Sequence, residues 1–135
     1  MLNNQVVLIT GGVGLLGSSF SKAIVQNGGK VIIGDILRNK GIDLQSELGI
    51  DNAIFIEVDS TNPASIDEII SSGKKHFGKI DSAIHCAYPR SKQWGTKFED
   101  LEVEGLKDDL FNQLGGAIIF SQRMINFFKQ QGYGN

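Results

Sequence analysis

Residues 6–17 read VVLITGGVGLLG, a run of apolar, mostly β-branched residues that leads into four glycines within seven positions. A helical pattern follows at once, with Leu16, Phe20, Ala23 and Ile24 on one face. A strand, a glycine turn and a helix in this order are typical of a site for a dinucleotide pyrophosphate, which binds to free backbone N–H groups at the helix start. The stretch therefore predicts a dinucleotide-binding site, with a purely structural glycine turn as the alternative.

Each glycine of this stretch has a predicted task. We expect Gly12 to make the tight turn and Gly14 to let the backbone approach the phosphates. Gly17 lets the helix pack close to the strand. The dipole of the helix then favours the negative charge of the phosphates at its N-terminus.

Composition excludes several classes of function. The chain has 135 residues, enough for one domain with a real core, and its net charge of −2 argues against general affinity for nucleic acid or anionic membranes. Two histidines and one cysteine cannot build a zinc site by themselves, so we expect no metal. Cys86 has no partner for an internal disulfide, and neither a signal peptide nor a spanning segment is recognisable. We therefore expect a cytoplasmic protein.

Strand and helix patterns alternate along the whole chain. Predicted strands cover residues 5–10, 30–34, 53–58 and 80–85, and predicted helices cover 15–27, 39–48, 63–77 and 103–130, with a polar loop at 86–98. Alternation of this kind implies right-handed βαβ units. The prediction is an α/β fold, a Rossmann-type doubly wound parallel sheet truncated to about four βα units, with strand order 3-2-1-4.

Asp35 lies 23 positions after Gly12, at the end of the second predicted strand. A carboxylate there accepts hydrogen bonds from the ribose hydroxyls of the adenosine and repels a 2′-phosphate. The sequence therefore favours NAD over NADP, and Arg38 three residues later softens that preference. The alternative is a helix cap or a solvated acidic residue in a loop.

The glycine stretch, Asp35 and the sequence VDST at residues 58–61 together resemble the short-chain dehydrogenase/reductase family. The resemblance implies an NAD(P)-dependent oxidoreductase that transfers hydride between the nicotinamide and a carbonyl or alcohol. It also implies that Asp59 and Ser60 lie beside the adenine. In the alternative interpretation Asp59 and Thr61 are helix-cap residues, which does not exclude the first.

The family's N-N-A-G turn corresponds here to residues 85–88, HCAY, of which only the alanine matches. By resemblance, this turn passes the ribose and nicotinamide side of the cofactor. His85 and Cys86 are neighbours at a strand end and should point to opposite faces, so we interpret them as an ordinary imidazole and a packed thiol. The resulting cofactor-binding set is Thr10, Gly11, Gly12, Gly14, Leu15, Leu16, Gly17, Asp35, Asp59, Ser60, Cys86, Ala87 and Tyr88.

Residues 87–95, AYPRSKQWG, resemble a subgroup of the family linked to surface-polysaccharide and flagellin-glycan modification. That resemblance implies a sugar or sugar nucleotide as substrate, and Arg90, Lys92 and Trp94 would suit a phosphorylated sugar. The alternative is a solvated loop with one anchoring aromatic residue. Tyr88 and Lys92 have the spacing of the family's catalytic pair, but Pro89 between them makes a helix improbable, so we interpret the spacing as coincidence.

A family asparagine on the long helix corresponds to Gln113, with Asn112 one residue away. Gly115 and Gly116 within that helix suggest close packing against a neighbouring element or a partner helix.

By the resemblance, the 135 residues cover only the cofactor-binding half of the family's fold, without the catalytic serine and the tyrosine–lysine helix. We therefore expect a chain that is inactive alone and meets a small-molecule substrate only in a full-length form. The unpaired fourth strand, helix 103–130 or both should form a homo-oligomer. The alternatives are a non-catalytic nucleotide-binding or oligomerisation module and, less favoured by the glycine spacing, a flavodoxin-like phosphate binder.

Overall fold

Four parallel strands form one sheet in the computed structural model, which describes all 135 residues. The order in the sheet is β3-β2-β1-β4, which confirms the predicted 3-2-1-4 arrangement. All three neighbouring pairs are parallel. The strands are β1 (Val6–Thr10), β2 (Lys30–Asp35), β3 (Ala53–Glu57) and β4 (Ser82–His85).

The helices lie between the strands and after the last of them. They are α1 (Leu15–Gln26), α2 (Arg38–Leu48), α3 (Pro63–Phe77), α4 (Val103–Leu110) and α5 (Gly116–Gln131). Helical backbone runs without a break from Val103 to Gln131, as predicted for 103–130, but it contains an unpredicted π-helical segment, Phe111–Gly115, between α4 and α5. Its wider turn coincides with a side-chain hydrogen bond from Gln113 to the carbonyl of Pro89 and ends at the Gly115–Gly116 pair.

The core has two halves, one on each face of the sheet, because successive side chains of a strand point to opposite faces. Val6 and Leu8 of β1 pack on the face covered by α3 and α5, against Ile66, Ile69 and Phe120 among others. Val7 and Ile9 pack on the opposite face, against Ile24 of α1 and Leu44 of α2. Strands buried on both faces explain the continuous apolar runs of the sequence.

Helix α1 does not bury the face that its apolar residues predict. Of the four residues on that face only Ile24 is buried, whereas Leu16, Phe20 and Ala23 are exposed. The helix instead buries Gly17, Ser21 and Ile24. Small residues at this contact let the helix axis approach the sheet closely, which an apolar-periodicity argument cannot anticipate.

The fourth strand is shorter than predicted, beginning at Ser82 rather than at residue 80. Asp81 precedes the strand: its carboxylate accepts a hydrogen bond from the Val6 N–H at 2.8 Å and pairs with the Lys79 ammonium at 2.9 Å. Asn135 pairs with the outer edge of β4: its N–H donates to the Asp81 carbonyl at 3.0 Å and its carbonyl accepts from the Ala83 N–H at 2.8 Å. None of the helices combines the length and apolar character needed to cross a membrane.

Candidate cofactor-binding site

A cleft of about 710 Å³ lies at the carboxyl ends of the strands. The chain moves from β1 outward to β3 on one side and then crosses to β4 on the other, so the cleft sits at a topological switch point, the usual ligand site of such sheets. Every residue of the predicted cofactor set except Gly12 lines it: Thr10, Gly11, Gly14, Leu15, Leu16, Gly17, Asp35, Asp59, Ser60, Cys86, Ala87 and Tyr88.

The tight turn after β1 is made at Gly11 rather than at Gly12, contrary to our prediction. Gly11 has a φ of +67°, and a Cβ on it would lie 2.5 Å from the backbone of Cys86 and Ala87. Gly12 points away from the cleft and donates its N–H to the Gly34 carbonyl at 3.0 Å. Gly11 thus brings the glycine turn into backbone contact with the turn after β4.

The start of α1 presents unpaired hydrogen-bond donors to the cleft. The N–H groups of Leu15, Leu16 and Gly17 have no acceptor within the protein, and Gly14 supplies no side-chain cap. A Cβ on Gly17 would overlap the Gly11 carbonyl, so the helix packs against the glycine turn as predicted for this position. Free N–H groups and the positive end of the helix dipole suit an anion at this place.

Several cleft residues were not anticipated from the sequence. They are Ile36, Leu37, Val58, Thr61 and Pro89, whereas Arg90, which also lines the cleft, was expected from the resemblance as a substrate contact. Ile36 is 65% exposed and Leu15, across the cleft entrance, is 87% exposed. The sequence did carry one signal for such residues: apolar side chains directly follow the glycines and Asp35 without fitting the spacing of a buried helix face or strand.

The Asp35 carboxylate both lines the cleft and stabilises the surrounding turns. One oxygen accepts from the Val13 N–H at 3.2 Å and the other from the Leu37 N–H at 3.1 Å. The neighbouring Arg38 is directed to Glu57, with 3.5 Å between guanidinium nitrogen and carboxylate oxygen. Asp35 therefore combines the structural role of the alternative interpretation with a position in the cleft.

Residues of the turn after β3 also line the cleft and at the same time hold the local structure. One Asp59 oxygen accepts from both the N–H and the hydroxyl of Thr61, at 2.8 and 2.7 Å, while the cap of α3 is Asn62. Ser60 is buried, and a Cβ on Gly116 would lie 3.4 Å from its carbonyl oxygen. A Cβ at that distance is in ordinary van der Waals contact, so Gly116 lies against the turn after β3 but does not need to be glycine for lack of space.

His85 and Cys86 point to opposite faces, as predicted. The His85 ring packs against Phe120, and its Nδ1 lies 2.7 Å from the Thr10 hydroxyl oxygen, whereas Cys86 packs with the other half of the core. Burial lowers the pKa of His85 and raises the pKa of the Cys86 thiol. A protonated thiol separated from the imidazole is no nucleophile–base pair.

Below pH 6.5, His85 should make the fold sensitive to acid. Its Nε2 is buried without a hydrogen-bond partner and its pKa lies below the ordinary 6.5, so the unfolded chain binds a proton there before the folded chain does. Stability therefore falls as the pH falls from 6.5, by well under ~1.4 kcal/mol per pH unit because the ring is partly open to solvent. Urea unfolding of His85→Asn between pH 7.5 and 5 should show a flatter dependence. The control is His76→Asn on the exposed face of α3; equal slopes in both variants would contradict the assignment.

The structure separates the two candidates for the family's asparagine position. Asn112 lines the cleft, whereas the Gln113 amide donates to the Pro89 carbonyl at 3.3 Å. Tyr88 and Lys92 do not share a helix, since residues 86–91 have no regular structure and 92–95 form a turn. Their spacing is therefore coincidental, as interpreted. No group of three His, Cys, Asp or Glu side chains is arranged to hold a metal ion.

Comparison with known proteins identifies the family. Residues 5–135 match the sequence pattern described as short chain dehydrogenase. The chain belongs to the short-chain dehydrogenase family. A curated member, the post-translational flagellin modification protein A of Campylobacter coli, is 32% identical over 139 residues, covering 100% of this chain and 54% of the relative. The 7alpha-hydroxysteroid dehydrogenase of Bacteroides fragilis is 30% identical, covering 98% of this chain and 52% of the relative.

Solved structures of short-chain dehydrogenases share the fold. A short chain dehydrogenase from Bacillus anthracis superposes with a TM-score of 0.89 at 25% identity, covering 100% of this chain and 54% of that one. A 3-ketoacyl-(acyl-carrier-protein) reductase from Brucella melitensis, complexed with NADH, superposes with a TM-score of 0.85 at 25% identity, covering 98% and 53%. The chain thus spans about half the length of the relatives it matches.

Proposed function

We propose that this chain is the cofactor-binding part of an NAD(P)-dependent short-chain oxidoreductase that acts on a sugar or sugar nucleotide. The observation that carries the proposal is the cleft, which joins three free N–H groups at the start of α1 to the carboxylate of Asp35. The family membership and the NADH complex of a relative with the same fold support it. The likeness to a flagellin modification protein supports the substrate class.

The residues of the cleft fit a nicotinamide dinucleotide. Gly14 and Gly17 leave the approach to the N–H groups of α1 free of side chains, so these groups can bind the pyrophosphate. Asp35 would accept the ribose hydroxyls, and the exposed Ile36 and Leu37 would contact the adenine. When bound, the cofactor supplies or accepts the hydride. The chain's own groups would bind and orient it, and Asn112, which also lines the cleft, would hold one of its polar groups.

We further propose that the cofactor is NAD. The Asp35 carboxylate repels a 2′-phosphate, and Arg38, the nearest cation in the sequence, is directed to Glu57. Titration of the chain with NADH, followed by NADH fluorescence, should show saturable binding. NADPH and FMN should displace the bound NADH only weakly. The same preparation should show no turnover of alcohols, because it has no tyrosine–lysine pair on a helix. Preference for FMN, or dehydrogenase activity of the 135 residues alone, would contradict the proposal.

We also propose that the chain forms a homo-oligomer through the outer face of α4 and α5. Five apolar side chains there are 45–61% exposed and recur along the helices: Leu106, Leu110, Leu114, Ile118 and Ile125. Asn135 occupies part of the β4 edge, whereas these exposed apolar side chains lie outside the buried core, so the helical face is favoured over the strand edge. Sedimentation equilibrium should show a dimer or a larger oligomer. Ile118→Asp should shift this equilibrium toward the monomer, whereas Ile50→Asp, at an exposed position outside this face, should leave it unchanged. A concentration-independent monomer would contradict the proposal.

A further inference from the structure

The loop between β4 and α4 is held in one conformation by polar contacts to the helical segments that follow it. The N–H and hydroxyl of Ser91 donate to the two carboxylate oxygens of Asp109, at 2.6 and 3.0 Å. The Gln113 amide donates to the Pro89 carbonyl at 3.3 Å. The alternative interpretation of these residues as a solvated loop therefore misses that the loop is anchored to the helices, and we call the anchored loop the platform.

This platform carries a cluster of Tyr88, Arg90 and Trp94. The two aromatic rings meet edge to face with centroids 5.2 Å apart. The guanidinium carbon of Arg90 lies 5.9 Å from the Tyr88 centroid and 5.6 Å from the Trp94 centroid. Contacts of this kind position a guanidinium without neutralising its charge.

The Arg90 guanidinium has no acidic partner in the chain. It takes part in none of the five salt bridges and donates no hydrogen bond, and the nearby Asp109 is already bonded to Ser91. All five N–H donors of the planar fork are thus available, and such a fork matches the oxygens of a carboxylate or phosphate.

Two members of the cluster, Tyr88 and Arg90, line one end of the cleft, and Trp94, which is not part of the lining, contacts both of them. Tyr88, Pro89 and Arg90 line the cleft on the β4 side of β1, whereas Asp35 lines it on the β2 side. This step rests on the proposed function, in which the adenosine occupies the β2 side of the cleft and the pyrophosphate lies at the start of α1. The rest of the cofactor then extends toward β4, which places Arg90 beside the end where substrate is bound.

We propose that Tyr88, Arg90 and Trp94 recognise an anionic group, a carboxylate or a phosphate, on a hydroxylated substrate. Arg90 binds the anion through paired N–H donors, and the exposed part of the Tyr88 side chain packs against C–H groups of the same substrate, while Trp94 supports Tyr88 and Arg90 from the side. The substrate class is therefore an acidic or phosphorylated polyol rather than a neutral one.

Trp94 allows a direct test, because it is the only tryptophan of the chain. The proposed contacts to the anion all lie on residues 88–94, so binding of the anionic group, unlike turnover of a complete substrate, is testable on the 135-residue chain. Trp94 fluorescence is followed while this chain, with NAD⁺ present, is titrated with gluconate, glucose 6-phosphate and neutral glucose. We expect a saturable change with the anionic probes and none with glucose. Arg90→Gln should weaken anion binding about tenfold or more, the cost of a lost charge-assisted pair. Lys97→Gln, which removes a charge from an exposed residue further along the same loop, should leave anion binding unchanged.

The possible outcomes separate this proposal from the cofactor assignment, since NADH binding is measured independently by NADH fluorescence. A response to gluconate alone or to glucose 6-phosphate alone supports the proposal and identifies the anion as carboxylate or phosphate. Normal NADH binding without an Arg90-dependent response to either anion overturns the proposal and leaves the cofactor site intact. If Arg90→Gln weakens NADH binding as much as it weakens anion binding, the proposal is overturned too, because Arg90 is then a cofactor contact. Absence of NADH binding in every variant overturns the proposed function itself.

Discussion

Gly11→Ala should destabilise the fold by about 3–5 kcal/mol, a large part of the stability of a small domain. Two costs combine at this position. The φ of +67° is strained for any residue with a side chain, and a Cβ would lie 2.5 Å from the backbone of Cys86 and Ala87. Backbone atoms cannot move aside as a flexible side chain can, so the glycine turn and the turn after β4 must separate. Urea unfolding followed by far-ultraviolet circular dichroism measures the loss.

Gly78→Ala is the matched control for the conformational part of this cost. Gly78 ends α3 with a φ of +82°, and no atom lies within 4 Å of the place where its Cβ would be. The control should lose only about 1–2 kcal/mol, the ordinary cost of the left-handed conformation. A chain that fails to fold with alanine at position 11 is the extreme of the expected result. Equal losses in the two variants would show that the contact with residues 86 and 87 contributes nothing.

The fold was predictable because its signals are local and repeat along the chain. Alternating strands and helices predict a parallel sheet, and the handedness of the crossovers leaves few strand orders. The glycine run and Asp35 predict the cleft, because parallel strands bring their carboxyl ends to one edge. Asn62 before Pro63 is an ordinary helix-start signal, and the isoleucines at 66, 69 and 70 have helical spacing; the structure uses them as the cap and the buried face of α3.

The features that sequence reasoning missed depend on contacts between distant segments. Apolar periodicity places Leu16 and Phe20 inside, but both are exposed, and α1 buries Ser21 beside Gly17, of which only the Gly17 contact was predicted. The π-helical segment at 111–115 coincides with the Gln113–Pro89 hydrogen bond, which joins residues 24 positions apart. The same distant contacts order the loop that carries Arg90. None of these contacts has a signature within a short window of sequence.

Asp35→Asn should weaken NADH binding by about 10–100-fold, the equivalent of one or two charge-assisted hydrogen bonds to the ribose hydroxyls. The affinity for NADPH should fall less, or rise, because the neutral side chain no longer repels the 2′-phosphate. The ratio of the two dissociation constants, from fluorescence titrations of one preparation, is therefore the measurement. Asp43→Asn, which removes a charge from exposed α2 without touching the cleft, is the control.

A structural explanation of that result must be excluded, because Asp35 also accepts from the N–H groups of Val13 and Leu37. Distortion of these turns alone would weaken both cofactors equally and leave the ratio unchanged, which would contradict a direct role for the carboxylate. Glu57→Gln sharpens the distinction, since it frees Arg38 from its 3.5 Å ion pair without altering the Asp35 contacts. Added to Asp35→Asn, it should raise NADPH affinity further while NADH affinity stays low. If the double variant binds NADPH no better than Asp35→Asn alone, Arg38 lies out of reach of the 2′-phosphate, and the preference for NAD rests on Asp35.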